Sequence, residues 1–428
     1  MDTTAYKCPC CGAPLAFAGE SGKLECDSCG NRFELEALEA MNQGSGADSI
    51  EFARSGETFG AAEAAQMQAF ICKSCGAELM TEETTTATQC PYCGNPAILP
   101  SRIEGGAKPE KVIPFSVTKE QAQRQFNDYF KGKRLLPNVF LKTRNRIAEM
   151  RKLYVPYWLF DCDAQGSIVY DAEKRSTERK GEWEITRTEH YVVRRAGELS
   201  FENIPVDGSE KLDNKITESL EPYDLSAAVP FQPAVLAGAM ADHADVNADA
   251  CEGRAVERVD TSVSQALRDT VSGYSSVTER SRSISAEGGR ATPVLMPVWL
   301  ITTEKEGKTY TFAINGQTGK LTCDVPADAK KSLAWGGGVF AGALGVAALV
   351  MALLSKLSSG ALLLAAVAAA ILALVVVGVL RGQLNQAEHQ STAENYVKEG
   401  SFNLSARYDR FLYTDTQRRK IETNEKKD

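Results

Sequence analysis

The chain has 428 residues, a net charge of −8 and 12 cysteines, with 14 acidic and 5 basic residues among its first hundred. That acidic segment lacks the basic footprint that nucleic-acid binding requires, which argues against a nucleic-acid partner. Eight cysteines form CxxC pairs and no secretory signal opens the sequence. We therefore expect metal binding in a reducing compartment rather than disulfide bonds.

The first elements in chain order are two cysteine clusters with one shared spacing. In each cluster, 14 residues separate two CxxC pairs, and a glycine follows every pair. A glycine there lets the chain turn behind a ligand with a positive φ angle. Two such turns present four thiolates in the tetrahedron that zinc prefers. The pattern predicts two structural zinc ions bound by Cys8, Cys11, Cys26, Cys29, Cys72, Cys75, Cys90 and Cys93.

The clusters predict zinc ribbon 1 at residues 1–40 and zinc ribbon 2 at residues 67–101, joined by a flexible linker at 41–66 with a helix around Ala61–Ala69. Cys10 is an alternative to its neighbour Cys11 as a ligand, but the glycine after Cys11 favours Cys11. A redox dithiol is disfavoured, because it would be a single pair that opens a helix. Four-thiolate sites are closed, so we expect the ribbons to contact a protein rather than to catalyse a reaction.

Residues 102–330 are predicted to form an α+β domain with a mainly antiparallel sheet. Helices are expected at Thr118–Lys133 and Ala248–Ser272, because both have apolar residues at helical spacing and Thr118 and Gln121 can form a capping box. The remaining elements, assigned from apolar runs and turn signals, are strands at Leu153–Phe160, Gly166–Tyr170, Trp183–Arg194, Ser275–Ser285, Pro293–Thr303, Lys308–Ala313 and Lys320–Cys323, and a short helix within Ile204–Glu221.

A short motif repeats within this domain. Pro156-x-Trp158-Leu159 recurs 141 residues later as Pro297-x-Trp299-Leu300. We interpret the repeat as two related halves that form one sheet. Each proline is expected at a strand edge or start and each tryptophan in the core, with ligand binding at the tryptophans as the alternative.

Two apolar runs, Leu333–Leu354 and Gly360–Leu380, follow the α+β domain. Each can cross a hydrocarbon core of about 30 Å as a helix. The segment Ser355–Ser359 can turn between them. We predict a transmembrane hairpin at residues 331–381, because a core helix of a soluble protein rarely runs so far without a polar face.

The charges around the hairpin predict its orientation. Lys330, Lys331 and Arg381 flank its open end, whereas the turn carries only Lys356. Both termini are therefore expected in the cytoplasm, in a multi-pass protein of the cell membrane. Small residues on both runs predict close helix packing, within one chain or between the chains of an oligomer. They are Gly338, Gly342, Ala361, Ala365, Ala369 and Ala373.

The tail at residues 382–428 is polar and is predicted to be helix-prone and cytoplasmic. It can dock on the α+β domain, bind a partner, lie on anionic lipid through Arg418-Arg419-Lys420, or remain solvated. These four alternatives stay open at the level of the sequence.

The sequence carries no familiar catalytic motif. The segment Gly307-Lys308-Thr309 matches the end of a P-loop motif, but Thr302 stands where the first glycine of that motif is needed. The three histidines form no HExxH motif. Cys162, Cys251 and Cys323 are single cysteines in apolar or mixed surroundings, which is typical of buried thiols. We predict that the protein is not an enzyme.

Several motifs occur together with the ribbons and the late hairpin: the Cys72–Cys93 cluster, Val155-Pro156-Tyr157-Trp158-Leu159, Phe201–Asp207, Leu220–Asp224 and Asn315–Gly319. In this combination the chain resembles the bacterial TFIIB-type or "PriA-like" zinc-ribbon membrane proteins, over about residues 67–381. The resemblance implies a membrane-anchored adaptor in a membrane-stress system. Its implied protein partners are PspA-like phage-shock proteins and SPFH or virion-core-like proteins.

These observations predict a scaffold that recruits soluble partners to the cytoplasmic membrane. A nucleic-acid-associated factor of the PriA or TFIIB type is the first alternative, which the acidic first hundred residues oppose. An enzyme of a new kind in the α+β domain is the second alternative. A deep polar cleft with clustered acids near Trp158 or Trp299 would favour it.

Overall fold

A computed structural model describes residues 7–9, 13–18, 23–34, 38, 52–54, 58–82, 89–96, 98–101, 107–143, 150–305, 308–354, 358–384 and 387–421. Within these ranges three strands form a small separate sheet: β1 (Ala16–Ala18), β2 (Lys23–Glu25) and β3 (Arg32–Phe33). Thirteen others form one continuous sheet: β4 (Phe52–Arg54), β5 (Met67–Cys72), β6 (Glu78–Glu82), β7 (Ile98–Ser101), β8 (Lys111–Val112), β9 (Arg151–Lys180), β10 (Trp183–Asp207), β11 (Val229–Pro230), β12 (Met240–Asp242), β13 (Ser276–Lys305), β14 (Lys308–Asn315), β15 (Leu321–Cys323) and β16 (Asn403–Lys420).

The α-helices of the described residues are α1 (Ala61–Ala64), α2 (Lys119–Tyr129), α3 (Asn138–Thr143), α4 (Asn214–Ser219), α5 (Ala248–Asp269), α6 (Ala329–Leu353) and α7 (Ser359–Gly382). Helix α2 begins after Thr118 with the predicted capping box, in which Thr118 and Gln121 bond to each other's backbone N–H. The helix expected around Ala61–Ala69 is shorter than predicted, because the chain enters β5 at Met67.

Long strands form the centre of the large sheet. Strand β9 pairs antiparallel with β13 on one side and with β10 on the other, and β10 pairs with β16. The 30 residues of β9 span about 100 Å at the usual rise per residue. The large sheet, mainly antiparallel along these strands, therefore confirms the predicted sheet character of the domain.

Two predicted strands, Leu153–Phe160 and Gly166–Tyr170, are parts of the single strand β9. Gly166, where the second predicted strand begins, pairs on both sides, with Gly197 and Ile284. A Cβ atom at Gly166 would lie 2.5 Å from a methyl of Val263 on α5. Gly166 therefore permits close approach of a helix, the other reason for a glycine within a strand.

The repeated Pro-x-Trp-Leu motifs occupy equivalent positions on adjacent strands. Pro156 lies just beyond the end of the β10 pairing and Pro297 just beyond the end of the β14 pairing. Each proline, which has no N–H to donate, still accepts a bond of 2.8 Å, from Gly208 and Gly316 respectively. Proline therefore stands where a neighbouring strand has ended, although β9 itself is central.

Both tryptophans of the repeat are buried, as predicted. The indole N–H of Trp158 donates to the carbonyl of Val246 at 2.9 Å, and that of Trp299 donates to the carbonyl of Val117 at 3.0 Å. Each indole thereby fastens a separate loop to the sheet, which is the structural role expected of a tryptophan with a satisfied polar tip.

The prediction of a helix-prone tail is wrong. The described part of the tail crosses the domain and then forms β16, which pairs with β10 from Glu198↔Asn403 to Trp183↔Lys420. Before that strand, Tyr396 donates to Glu221 at 2.7 Å, and the buried Arg258 bonds both Glu221 and the carbonyl of Thr392. Of the four alternatives, docking on the domain is the one observed.

Helices α6 and α7 form two adjacent apolar helices, each about 36 Å long at 1.5 Å per residue. Their leucines point outward, with Leu333, Leu364 and Leu374 more than two-thirds exposed. A buried core hairpin would not expose these side chains. By length and composition, both helices could cross a membrane. Residues 355–357 of the predicted turn, including Lys356, lie outside the described residues.

The predicted small-residue faces differ in what they contact. Ala369 and Ala373, two of the alanines spaced four residues apart on α7, are buried, so this alanine face packs within the chain. Gly338 and Gly342 have open space where a Cβ would stand. The alanine face confirms close packing inside the hairpin, whereas the glycine pair takes no part in it.

The open end of the hairpin is tied to the sheet domain. The ammonium of Lys331 donates hydrogen bonds to the carbonyl of Leu136 at 2.6 Å and to the side-chain oxygen of Asn138 at 2.7 Å. Just after α7, the carbonyl of Leu384 accepts a bond of 2.8 Å from the Tyr129 hydroxyl. Both helix ends thus meet the region between α2 and α3, and the sheet domain lies at one end of the hairpin.

Candidate metal centres

The four predicted ligands of ribbon 2 converge. The sulfur atoms of Cys72, Cys75, Cys90 and Cys93 all lie within 4.8 Å of one another. Cys72 and Cys93 are 3.6 Å apart, as are Cys75 and Cys90. Tetrahedral bonds of about 2.3 Å to zinc would place sulfurs about 3.8 Å apart. The donor set and its dimensions therefore fit one tetrahedral metal ion.

Local backbone bonds explain how each CxxC pair presents its sulfurs. The N–H of Cys72 donates to Ala77, and the N–H of Gly76 donates back to Cys72, at 2.9 and 2.8 Å. The same two bonds recur around Cys90 and Gly94. The glycines adopt φ angles of +69° and +72°, which confirms why glycine follows the pair.

Ribbon 1 repeats this geometry where it is described. The sulfurs of Cys8, Cys26 and Cys29 lie within 4.8 Å of one another, with Cys8 and Cys29 at 3.5 Å. Gly30 has a φ angle of +71° and donates to Cys26 at 2.8 Å. The predicted ligand Cys11, its alternative Cys10 and the following Gly12 lie outside the described residues. Three thiols thus form a group that can hold a metal ion.

Ribbon 2 is part of the large sheet. Its strand β6 pairs with β12, and β12 pairs in parallel with β9. The buried Tyr92, between Cys90 and Cys93, donates to Asp242 at 2.6 Å, and Ser209 donates to the same carboxylate oxygen at 2.5 Å. Arg151 adds a bond of 2.8 Å to the carbonyl of Cys90. These contacts lock the cysteine turns of ribbon 2 to the sheet.

Ribbon 1 is attached more lightly. Its small sheet packs Leu24 and Phe33 onto Val169, Val192 and Leu412 of the large sheet. An exposed ion pair of 3.4 Å between Arg410 and Glu34 adds to this contact. Ribbon 1 therefore sits on one face of the long strands as a separate module.

The thiols within ribbon 2 differ in their electrostatics. Burial raises the pKa of the Cys75 thiol to about 11 and raises that of Cys90 as well, whereas at Cys72 backbone hydrogen bonds from Cys75 and Ser74 outweigh burial and lower the pKa. A backbone hydrogen bond at Asn31 lowers the pKa of the exposed Cys29 to about 6. Because metals bind thiolates, a metal that enters ribbon 2 would have to displace the protons of Cys75 and Cys90.

The anchors of ribbon 2 were missed by sequence reasoning. Tyr92 gave a weak signal, since an aromatic residue stands between two predicted ligands, but nothing near Asp242 in the sequence points to a ribbon 150 residues away. Burial raises the pKa of Asp242 to about 7. The Asp242 carboxyl is thus poised between its charged and neutral forms while it holds the ribbon.

The single cysteines take the structural role predicted for them. Cys162, Cys251 and Cys323 are all buried, and burial raises the pKa of each thiol. The raised pKa keeps a thiol protonated, which opposes a nucleophilic role.

Among the histidines, His389 lies 2.9 Å from Glu218 in the docked tail.

The fold and these sites define a class of protein: a large sheet domain that carries two cysteine centres able to hold metal ions, with two long apolar helices that precede its last strand. No protein-family model matches the chain, and no solved structure matches it. A protein of Bacillus subtilis (strain 168), described as "Uncharacterized protein YdjG", is 35% identical over 356 residues. The match covers 83% of this chain and 98% of the relative. The chain belongs to the YdjG family.

Proposed function

We propose that the protein is a membrane-anchored scaffold whose zinc ribbons recruit soluble proteins to the cytoplasmic face of the cell membrane. The carrying observation is that one continuous sheet contains both the strands of ribbon 2 and the strand β16 that follows the apolar hairpin. A ribbon built into the same sheet as the anchor holds a recruited protein at a fixed place relative to the membrane.

Ribbon 2 presents a surface suited to such recruitment. Ile71 on β5 and Leu99 on β7 are cross-strand partners, and both are exposed, at 37% and 44%. Exposed apolar pairs on a rigid support are typical of protein contacts. The partners implied by the family resemblance, PspA-like and SPFH or virion-core-like proteins, are the candidates that this surface would bind.

Zinc is the ion we propose for both centres, because four thiolates in a tetrahedron suit zinc or an iron–sulfur cluster and ribbon turns of this size are typical of zinc. Elemental analysis of the purified full chain should find two zinc ions per chain. An iron content with visible absorbance would contradict zinc at these sites.

Recruitment is tested by co-purification from membranes solubilised in mild detergent. The chain is expressed with a PspA-like or SPFH-like protein, in wild-type form and as the Ile71→Thr/Leu99→Thr variant. Threonine keeps β propensity and removes apolar surface. We expect the variant to remain in the membrane and to lose most of the partner.

Val229→Thr is the matched control, because Val229 is an equally exposed strand residue outside the ribbons. It should recover as much partner as the wild type. Equal recovery by the folded Ile71→Thr/Leu99→Thr variant would overturn recruitment through ribbon 2.

The proposed orientation has its own test, in which cysteine replaces one residue at a time in intact cells. A membrane-impermeant maleimide should label Lys356→Cys from outside. Thr416→Cys on the exposed face of β16 should be labelled only after lysis. The reverse pattern would place the sheet domain outside the cell and would contradict recruitment in the cytoplasm.

A further inference from the structure

A cavity of about 590 Å³ lies where ribbon 2, the segment before α2 and the start of β9 meet. Its size falls within the range of about 300–1,000 Å³ that is typical of small-molecule sites. The residues that give it chemical character are Gln89, Phe115, Lys119, Arg151, Lys152 and Trp299.

One wall of the cavity is aromatic and fixed in place. The rings of Phe115 and Trp299 meet edge to face with centroids 5.4 Å apart. The Trp299 indole is held by its bond to the carbonyl of Val117, and Phe115 packs on Tyr154 at 5.1 Å. A flat apolar group can lie against these rings without first ordering them.

The charged groups of the cavity have one sign. Lys119, Arg151 and Lys152 line it, and none of its described lining residues is acidic. The Lys152 ammonium lies 5.1 Å from the centre of the Phe115 ring and 5.6 Å from that of Trp299. Lys119 opens helix α2, whose N-terminal dipole adds to the positive field.

We propose that this cavity binds a small anion that carries a flat aromatic ring. The ring packs against Phe115, which the buried Trp299 holds in place, and the anionic group is placed among Lys119, Arg151 and Lys152. Aromatic walls combined with a few convergent charged groups are the usual composition of a ligand site. This site borders ribbon 2 through Gln89 and Arg151, but it uses none of the cysteines and does not depend on the recruitment proposed above.

The test is calorimetric titration of the full chain, in an uncharged detergent, with phenyl phosphate as the probe. Inorganic phosphate carries only the anionic group of this probe, and benzyl alcohol carries only the aromatic ring. Each should bind at least about tenfold more weakly than phenyl phosphate. Lys152→Met should weaken phenyl phosphate binding by about tenfold or more, because a charge-assisted contact is lost.

Lys174→Met is the matched control. Lys174 lies on the same strand and its ammonium also faces two aromatic rings, those of Tyr191 and Tyr274, at 4.9 and 5.2 Å. It lies outside the cavity, so its loss should leave binding unchanged. If Lys152→Met does not fold, substitution of the half-buried Lys119, Lys119→Met, provides the same test.

Three results would overturn the proposal. They are no binding of phenyl phosphate to the folded wild type, equal binding by the wild type and the cavity variants, and equal binding of inorganic phosphate. The last result would show that the aromatic wall contributes nothing to the site.

Discussion

The two cysteine clusters share one spacing and one turn geometry, yet they are attached to the protein in different ways. Ribbon 2 joins the large sheet through β12 and holds Tyr92 in a buried bond to Asp242. Ribbon 1 keeps a sheet of its own and packs one apolar face on the long strands. Cysteine turns of one geometry can therefore serve as part of a core or as an attached module.

The difference lies in attachment and in its consequence. Each centre buries two of its described thiols, Cys72 and Cys90 in ribbon 2 and Cys8 and Cys26 in ribbon 1, whereas Cys29 is exposed. Loss of a metal from ribbon 2 would leave buried thiols and a sheet edge without support. Loss of a metal from ribbon 1 would unfold a small module at the surface. The following predictions test this contrast in order of expected effect.

The largest effect should come from the equivalent substitutions Cys93→Ser and Cys29→Ser. Metal binding supplies about 10–16 kcal/mol to zinc-dependent folding in small ribbons. Cys93→Ser should therefore lower the main thermal unfolding transition, whereas Cys29→Ser should leave it in place. Differential scanning fluorimetry with parallel zinc analysis measures both. Equal shifts of the main transition would contradict the difference in attachment.

The anchor of ribbon 2 should contribute less than its metal. Tyr92→Phe removes one of two donors to the buried Asp242 and should destabilise the sheet by about 1–3 kcal/mol. Tyr191→Phe is the control, since its hydroxyl bonds Glu189 in a half-exposed setting. Denaturant unfolding compares the two, and an equal, small effect of both would dismiss the anchor.

The same anchor predicts a pH dependence. Burial raises the pKa of Asp242 to about 7 from 3.8, so folding favours its protonated form. This contribution is complete below about pH 4 and is lost as the pH rises through about 7.

Asp242→Asn keeps an oxygen to accept both hydrogen bonds and removes the titration. Relative to wild type it should gain on the order of 1 kcal/mol of stability between pH 5 and pH 8. Asp171→Asn, at a half-exposed carboxylate that pairs with Arg280, controls for loss of a charge and of an ion pair. A variant with the wild-type pH profile would refute this role of Asp242.

The smallest effect is expected at the edge of ribbon 1. The Arg410–Glu34 ion pair is almost half exposed on both sides, and such pairs contribute about 0.2–1 kcal/mol. A double-mutant cycle with Arg410→Ala and Glu34→Ala, read out by proteolysis of ribbon 1, measures the coupling. A coupling well above 1 kcal/mol would mean that ribbon 1 is held as firmly as ribbon 2.

Local signals predicted the elements whose cause is local. The capping residues of α2, the glycines behind the cysteine pairs and the apolar faces of α5, α6 and α7 are each set by neighbours within a few residues. They appear in the structure close to where they were expected. The extent of the long strands was underestimated, because two strands were predicted at Leu153–Phe160 and Gly166–Tyr170 where the structure has the single strand β9.

The tail shows why other features escaped prediction. Strand β16 is polar along most of its length and was therefore not predicted as a strand. Strand propensity depends strongly on the neighbouring strand. Its place was fixed by β10, more than 200 residues earlier, and by the buried Arg195, whose guanidinium bonds Asp409. Neither neighbour is visible in the tail sequence.

The sequence by itself determined the cysteine turns and the apolar helices, because metal-ligand spacing and hydrophobic length are properties of short segments. Only the tertiary structure decided that ribbon 2 belongs to the large sheet, that ribbon 1 rests on it and that the tail closes the edge of β10. These arrangements depend on pairing and burial between distant residues. Judged by sequence alone, many segments of the chain could make such contacts equally well. Only one set of segments packs together in the folded protein.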